Sequence, residues 1–126
     1  MKIFITIFLL LFALESFAEE HMLKESQYKY VEQSIGKGKP YFLEIGSEDC
    51  YGCKVMANSL SQVLQKNPQY NIHYINAKKE RQVAKDLSVR MIPTQIIYDK
   101  DGVEVYRHIG IINKEELDTL FKKFMF

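Results

Sequence analysis

The sequence predicts an α/β domain, a mixed four-stranded sheet layered between helices (α/β/α), following a cleaved N-terminal signal peptide. Three observations predict it. Hydropathy alternates between helical and strand periods in the order α-β-α-β-α-β-β-α. The strand–helix–strand units require parallel pairing, whereas the last two strands, joined by Asp99-Lys100-Asp101-Gly102, form an antiparallel hairpin. The composition, 126 residues with 47% apolar and 26% charged, suffices for one core and is too apolar and evenly charged for a disordered chain.

The first stretch, residues 1–18, reads as an address. Lys2 supplies a positive start, and Ile3 to Leu14 is apolar except for Thr6. Ser16 and Ala18 are small residues at the −3 and −1 positions of a cut before Glu19. The apolar run is shorter than the about 20 residues that span a bilayer, with an uncleaved anchor as the alternative. Cleavage leaves residues 19–126 as the folded domain, delivered to the periplasm, where disulfides persist.

Lys24 to Ile35 is expected to be helical, with Tyr28, Val31 and Ile35 on one face and a stop at Gly36-Lys37-Gly38-Lys39-Pro40. Tyr41 to Ile45 reads as a buried strand carrying one acid, Glu44. A helix follows from Cys50 to about Gln65, with Met56, Leu60, Val63 and Leu64 inward, and Asn67-Pro68 ends it. Ile72 to Ala77 is the second strand, and Lys79 to Leu87 a short polar helix with Val83, Ala84 and Leu87 inward. Thr94 to Tyr98 and Glu104 to Ile109 form the hairpin. Asn113 caps the last helix, Glu116 completes a capping box, and Leu117, Leu120, Phe121 and Phe124 form its apolar stripe.

A net charge of +1, from 17 Lys+Arg against 16 Asp+Glu, lacks the basic field that nucleic-acid binding needs. Two cysteines cannot build a disulfide-dense scaffold. They stand in Cys50-Tyr51-Gly52-Cys53, between a strand and a helix. This spacing lets the sulfurs meet across the first helical turn. Cys50 then lies at the helix N-terminus, where free N–H groups and the helix dipole favour a thiolate, the attacking species in disulfide exchange. Cys53, one turn inward, is placed to resolve a mixed disulfide.

Three other readings compete. A structural disulfide would close too small a loop to constrain the unfolded chain much. Zinc would need two more ligands, and His21, His73 and His108 lack partner spacing. Cu(I) could use Cys50, Cys53 and Met56 as soft ligands. The position between strand and helix favours redox work. No metal and no cofactor is expected, and His73 and His108 read as satisfied strand residues.

Three blocks in order resemble the thioredoxin family: Phe42 to Lys54 around the cysteines, Val89-Arg90-Met91-Ile92-Pro93-Thr94, and Ile109-Gly110-Ile111-Ile112-Asn113-Lys114. The resemblance covers roughly Tyr41 to Phe124, is strongest to small exported members, and implies a thioredoxin-like fold with thiol–disulfide oxidoreductase activity. It implies that Glu44 is a buried acid able to accept the Cys53 proton. It further implies a cis peptide before Pro93, main-chain binding of the substrate at Ile92, and a groove bordered by Gly110, where only a hydrogen would fit, and by Tyr51 and Gly52. The rival function under the same resemblance is a binding module without turnover.

The departures from the family pattern bear on direction. Glu48 and Asp49 precede Cys50, where the family often has Trp; their charge should raise the Cys50 pKa, with Lys54 partly offsetting it. Tyr74 replaces the family's buried lysine, and the usual first strand is at most weak, at Glu20 to Leu23. No histidine stands between the cysteines to stabilise the thiolate, and Ile92 resembles the reducing members. The expectation is therefore a periplasmic reductant with oxidised exported proteins as clients, apo-cytochrome c among the candidates, and a membrane thiol electron donor. The domain leaves no room for a dimerisation module, so a monomer is expected.

Overall fold

The computed structural model describes residues 23–126. The expected signal peptide, His21 and most of the Glu20–Leu23 segment lie outside them. The elements are α1 (Tyr28–Val31), β1 (Tyr41–Gly46), α2 (Tyr51–Lys66), β2 (Ile72–Asn76), α3 (Arg81–Asp86), β3 (Thr94–Tyr98), β4 (Glu104–Ile109) and α4 (Lys114–Lys123). The sheet order is β2-β1-β3-β4. Strand β1 pairs parallel with β2 and antiparallel with β3, which pairs antiparallel with β4. The sheet is mixed, as predicted, but only the first strand–helix–strand unit is parallel: β3, expected to continue the parallel set after α3, instead runs antiparallel to β1.

Alternation along β1 builds two cores. Phe42 faces α2 and α4, packing with Met56, Leu60, Leu117 and Phe121. Tyr41, Leu43 and Ile45 face the other side, with Val31, Ile75 and Ile96, against α1 and α3. The sheet is thus covered on both faces, which explains why all six residues of β1 are buried. The parity that sends Phe42 towards α2 sends Glu44 and Gly46 there too, beneath the cysteine-bearing helix. The hairpin turn is held by Asp99, whose Oδ1 accepts the N–H groups of Asp101 and Val103, both at 2.9 Å. Asn113 Oδ1 accepts the Glu116 N–H at 2.9 Å, one half of the expected capping box.

The first helix is shorter than its apolar spacing predicts. Tyr28, Val31 and Ile35 do face the core, but only Tyr28–Val31 is α-helical. Tertiary bonds win over local propensity on its N-terminal side. Ser26 N–H donates to Tyr74 O at 2.7 Å, making a single parallel bridge between Glu25 and Tyr74, and the Tyr28 N–H points at the Glu80 carboxylate. This bridge, just past the expected Glu20–Leu23 position, is all of a first strand that the described residues contain. It covers part of the free edge of β2.

Candidate functional site

Cys50 is the N-cap of α2, in extended backbone conformation, and Cys53 lies in the first turn. The two are joined by a disulfide with a Cα–Cα distance of 5.2 Å, within the usual span for a bridged pair. The Cys53 N–H points at Cys50 Sγ, 3.3 Å away. That N–H is one of the unpaired donors of a helix start, and it would stabilise negative charge on the same sulfur after reduction. The two sulfurs differ in access: Cys50 is half-buried, whereas the Cys53 residue is only 4% exposed. An incoming disulfide therefore meets Cys50.

Two loops converge on the pair. The Ile92–Pro93 bond is cis. Pro93 lies against the cysteine turn: a Cβ at Gly52 would stand 3.2 Å from Pro93 Cδ and 3.4 Å from Ile111 Cγ1. The Gly110 N–H donates to Pro93 O at 2.8 Å, which fastens the segment after β4 to the proline loop. Ile92 is half-buried, Tyr51 is exposed, and with Met91 and Ile111 they give the mouth an apolar rim. One expectation is corrected. A Cβ at Gly110 would meet nothing within 4 Å, so space does not demand glycine there. Its φ of +101° does, because a side chain is strained in that region.

Glu44 is 1% exposed and lies on the same face of β1 as Gly46, two residues on, whose Cα side faces Cys53. Burial pushes its carboxyl well above the usual carboxylate range, and the bond from Gln95 opposes this only in part. Gln95, directly opposite on β3, donates from Nε2 to Glu44 Oε1 at 3.4 Å and to Gly110 O at 3.0 Å. Its Oε1 is 2.8 Å from His108 Nδ1. Because Nε2 faces two acceptors, Oε1 must accept from His108, which fixes a proton on Nδ1. Glu44 Oε2 has no hydrogen-bond partner among the described residues. Such an oxygen is well suited to carry a proton and poorly suited to carry charge.

Tyr74, where the resemblance would place a lysine, pairs in register with Glu44 from β2. Burial foremost, with the nearby carboxylates, pushes its hydroxyl up to about 12, so it stays neutral. A cavity of ≈ 360 Å³ opens beside it, lined by Cys53, Lys54, Glu48, Tyr74 and Lys79 among others.

The acids before Cys50 are not bare charges. Lys78 Nζ pairs with Asp49, which also accepts the Ser47 hydroxyl at 2.7 Å, and together they hold its carboxyl down at about 2. Glu48, bonded by its own backbone N–H and by the Asn76 amide, also lies below its usual value. Both are ionised and exposed at neutral pH, but Lys78 answers one of them. The Cys50 thiolate therefore meets less net repulsion than the sequence count suggests.

Met56, a possible third soft ligand, is committed elsewhere: it is fully buried and its Sδ accepts the Ile112 N–H at 3.2 Å. Among the described residues no group of three or more His, Cys, Asp or Glu could hold a metal ion.

The sequence reading missed Gly46 and Gln95. A Cβ at Gly46 would lie 2.8 Å from Cys53 Sγ, so the strand end must be bare for the resolving cysteine to fit. Its signal was available, since Glu44 and Gly46 share strand parity. The signal for Gln95 was an amide inside a short buried strand, followed at once by the apolar Ile96-Ile97.

A model of the thioredoxin-like domain matches residues 28–125. The chain belongs to the thioredoxin-like family. Among related thioredoxins, that of Chlamydia pneumoniae is 34% identical over 77 residues, 61% of this chain and 74% of the relative. That of Mycoplasmoides gallisepticum is 24% identical over 92 residues, 73% of this chain and 91% of the relative. Chloroplastic thioredoxin z superimposes with a TM-score of 0.73 at 16% identity, covering 82% of this chain and 95% of that one. Thioredoxin from Fasciola hepatica gives 0.65 at 22% identity, covering 77% and 89%. Thioredoxin-like membership and the bridged pair at a helix start make the protein a thiol–disulfide oxidoreductase.

Proposed function

We propose that this thioredoxin-like protein is a reductant of disulfides in exported proteins, working in the periplasm. The observation that carries the mechanism is the asymmetric pair: Cys50 half-buried at the helix N-cap, Cys53 buried in the first turn on the face of β1 that Glu44 shares with Gly46. In the reduced protein the Cys50 thiolate attacks one sulfur of a client disulfide. A mixed disulfide forms and a client thiolate leaves. Cys53 passes its proton to Glu44, and its thiolate attacks Cys50 Sγ. The Cys50–Cys53 bond forms, the second client thiolate leaves, and two electrons have moved to the client. A dithiol donor returns them, and outside the cytosol that donor is a membrane protein.

Three features support the reducing direction. No histidine stands between the cysteines. Glu48 and Asp49 are held ionised on the approach to Cys50, and the charge that remains after Lys78 pairs with Asp49 disfavours the thiolate and so the reduced form. Ile92, before the cis proline, resembles the residue that the reducing members of the family carry there. The signal-peptide pattern of residues 1–18 supports export.

Trapping tests the assignment. Cys53→Ser should accumulate mixed disulfides through Cys50, identifiable by mass spectrometry as exported proteins, whereas Cys50→Ser should accumulate none. Trapping by Cys50→Ser alone would reverse the two roles. A measured potential near that of strong oxidants would sink the reducing direction.

A further inference from the structure

A groove of ≈ 710 Å³ runs from the proline loop along α3, with Ala84 and Ile92 in its lining and Lys78, Arg81, Lys85 and Arg90 around it. We propose that it binds an acidic stretch of the client polypeptide next to the disulfide under attack. This rests on the reading of Cys50–Cys53 as a pair that exchanges with polypeptide disulfides.

The charge distribution carries the proposal. Four cations and no carboxylate line the groove, in a chain whose net charge is only +1. Arg81 and Lys85 stand at i and i+4 on one side of α3, a like-charge spacing that weakens a helix unless a counter-charge is supplied. Among the described residues none supplies it. The nearby acids are engaged elsewhere: Glu80 by the Tyr28 N–H, Asp86 by Gln82 and Glu104 by Arg107. Among the described residues Arg81, Lys85 and Arg90 form no ion pair, and Lys78 is held by Asp49 at the end nearest Cys50.

Position carries the rest. Ile92 lines the groove and precedes the cis proline beside Gly52, so groove and cysteine pair share a wall. A client strand paired to the Ile92 main chain would extend its flank over the four cations. Complementary charge there acts mainly on the rate of encounter and on the choice among clients.

The test uses the reduced protein and three peptides of equal length with the same internal disulfide, flanked by Asp/Glu, by Gly/Ser or by Lys. At low ionic strength the acidic peptide should be reduced ~10-fold faster than the Lys-flanked one. That ratio should shrink as salt is added and collapse in the Arg81→Glu/Lys85→Glu/Arg90→Glu variant. Equal rates with the acidic and Lys-flanked peptides overturn the proposal without the variant being needed. An unchanged ratio in a folded variant overturns it too. Absence of peptide preference, with binding to phosphatidylglycerol vesicles that the variant loses, overturns it in favour of a membrane surface. Failure to reduce any of the peptides removes the exchange function itself, a result distinct from equal reduction of all three.

Discussion

Gln95 Nε2 lies 3.4 Å from Glu44 Oε1, and this is the only hydrogen bond that the buried carboxyl receives among the described residues. The same nitrogen holds Gly110 O, so one amide links the buried acid to the loop beside Pro93. In Gln95→Leu, Glu44 loses the contact that favours its ionised form, and its pKa should rise further. The Glu44 carboxylate, with Tyr74 on one side and His108 beyond Gln95, would then form only at higher pH. The pH profile of the Cys53 resolving step should move to the alkaline side, read by single-turnover release of client thiol. A profile unmoved in Gln95→Leu would reduce Gln95 to a packing role.

Glu44 itself should limit stability. Its folded pKa is raised above the ordinary 4.5, so its favourable contribution is complete below that value and is lost as pH rises through the folded pKa. Denaturant unfolding should show stability falling with pH over this window. Glu44→Leu, of similar volume, should remove that slope and gain about 1–3 kcal/mol at neutral pH while slowing resolution. Wild-type stability that stays flat above pH 4.5 would contradict the burial argument.

Gly46 and Gly110 should fail for different reasons when changed to alanine. In Gly46→Ala the new methyl meets Cys53 Sγ and must displace it. We expect a loss of about 1–3 kcal/mol together with slower exchange. In Gly110→Ala the methyl meets nothing, and only the positive φ costs, about 1–2 kcal/mol, with exchange largely kept. Chemical denaturation and insulin reduction on both variants separate the two cases.

Asp49 and Lys78 should move the Cys50 thiolate in opposite directions. Asp49→Asn removes a negative charge and should lower the Cys50 pKa; Lys78→Met exposes that charge and should raise it. The effects on iodoacetamide reactivity at pH 7 should be a few-fold at most and should fade in salt, since both groups are exposed. Equal reactivity in both variants at low ionic strength would show that the pair does not reach Cys50 electrostatically.

Local rules made the fold largely legible. The apolar run of β1, the Asp-Gly turn before β4 and the Asn113 cap each carry their cause within a few residues. Residue spacing gave the cysteine pair, and the family pattern gave Pro93 and Glu44. What stayed hidden depended on partners distant in sequence. Helix α1 is short because Tyr74 and Glu80 hold the chain just before it. Asp49 reads as a free charge until Lys78, 29 residues later, is brought beside it. Gln95 reads as a strand amide until register sets it opposite Glu44. Gly110 looks like a glycine of tight quarters, and only the backbone angle shows why it is there.

The Gly110 peptide is fastened at both ends, its N–H on Pro93 O and its C=O on Gln95 Nε2. The wall that a client strand would meet is therefore already set before contact. Docking need not freeze that loop, so the entropy of association falls on the client alone. Such a preorganised wall suits an exchange enzyme that must also let go. Clients held as proposed, through main chain and loose charge, would be free to leave once the Cys50–Cys53 bond has closed.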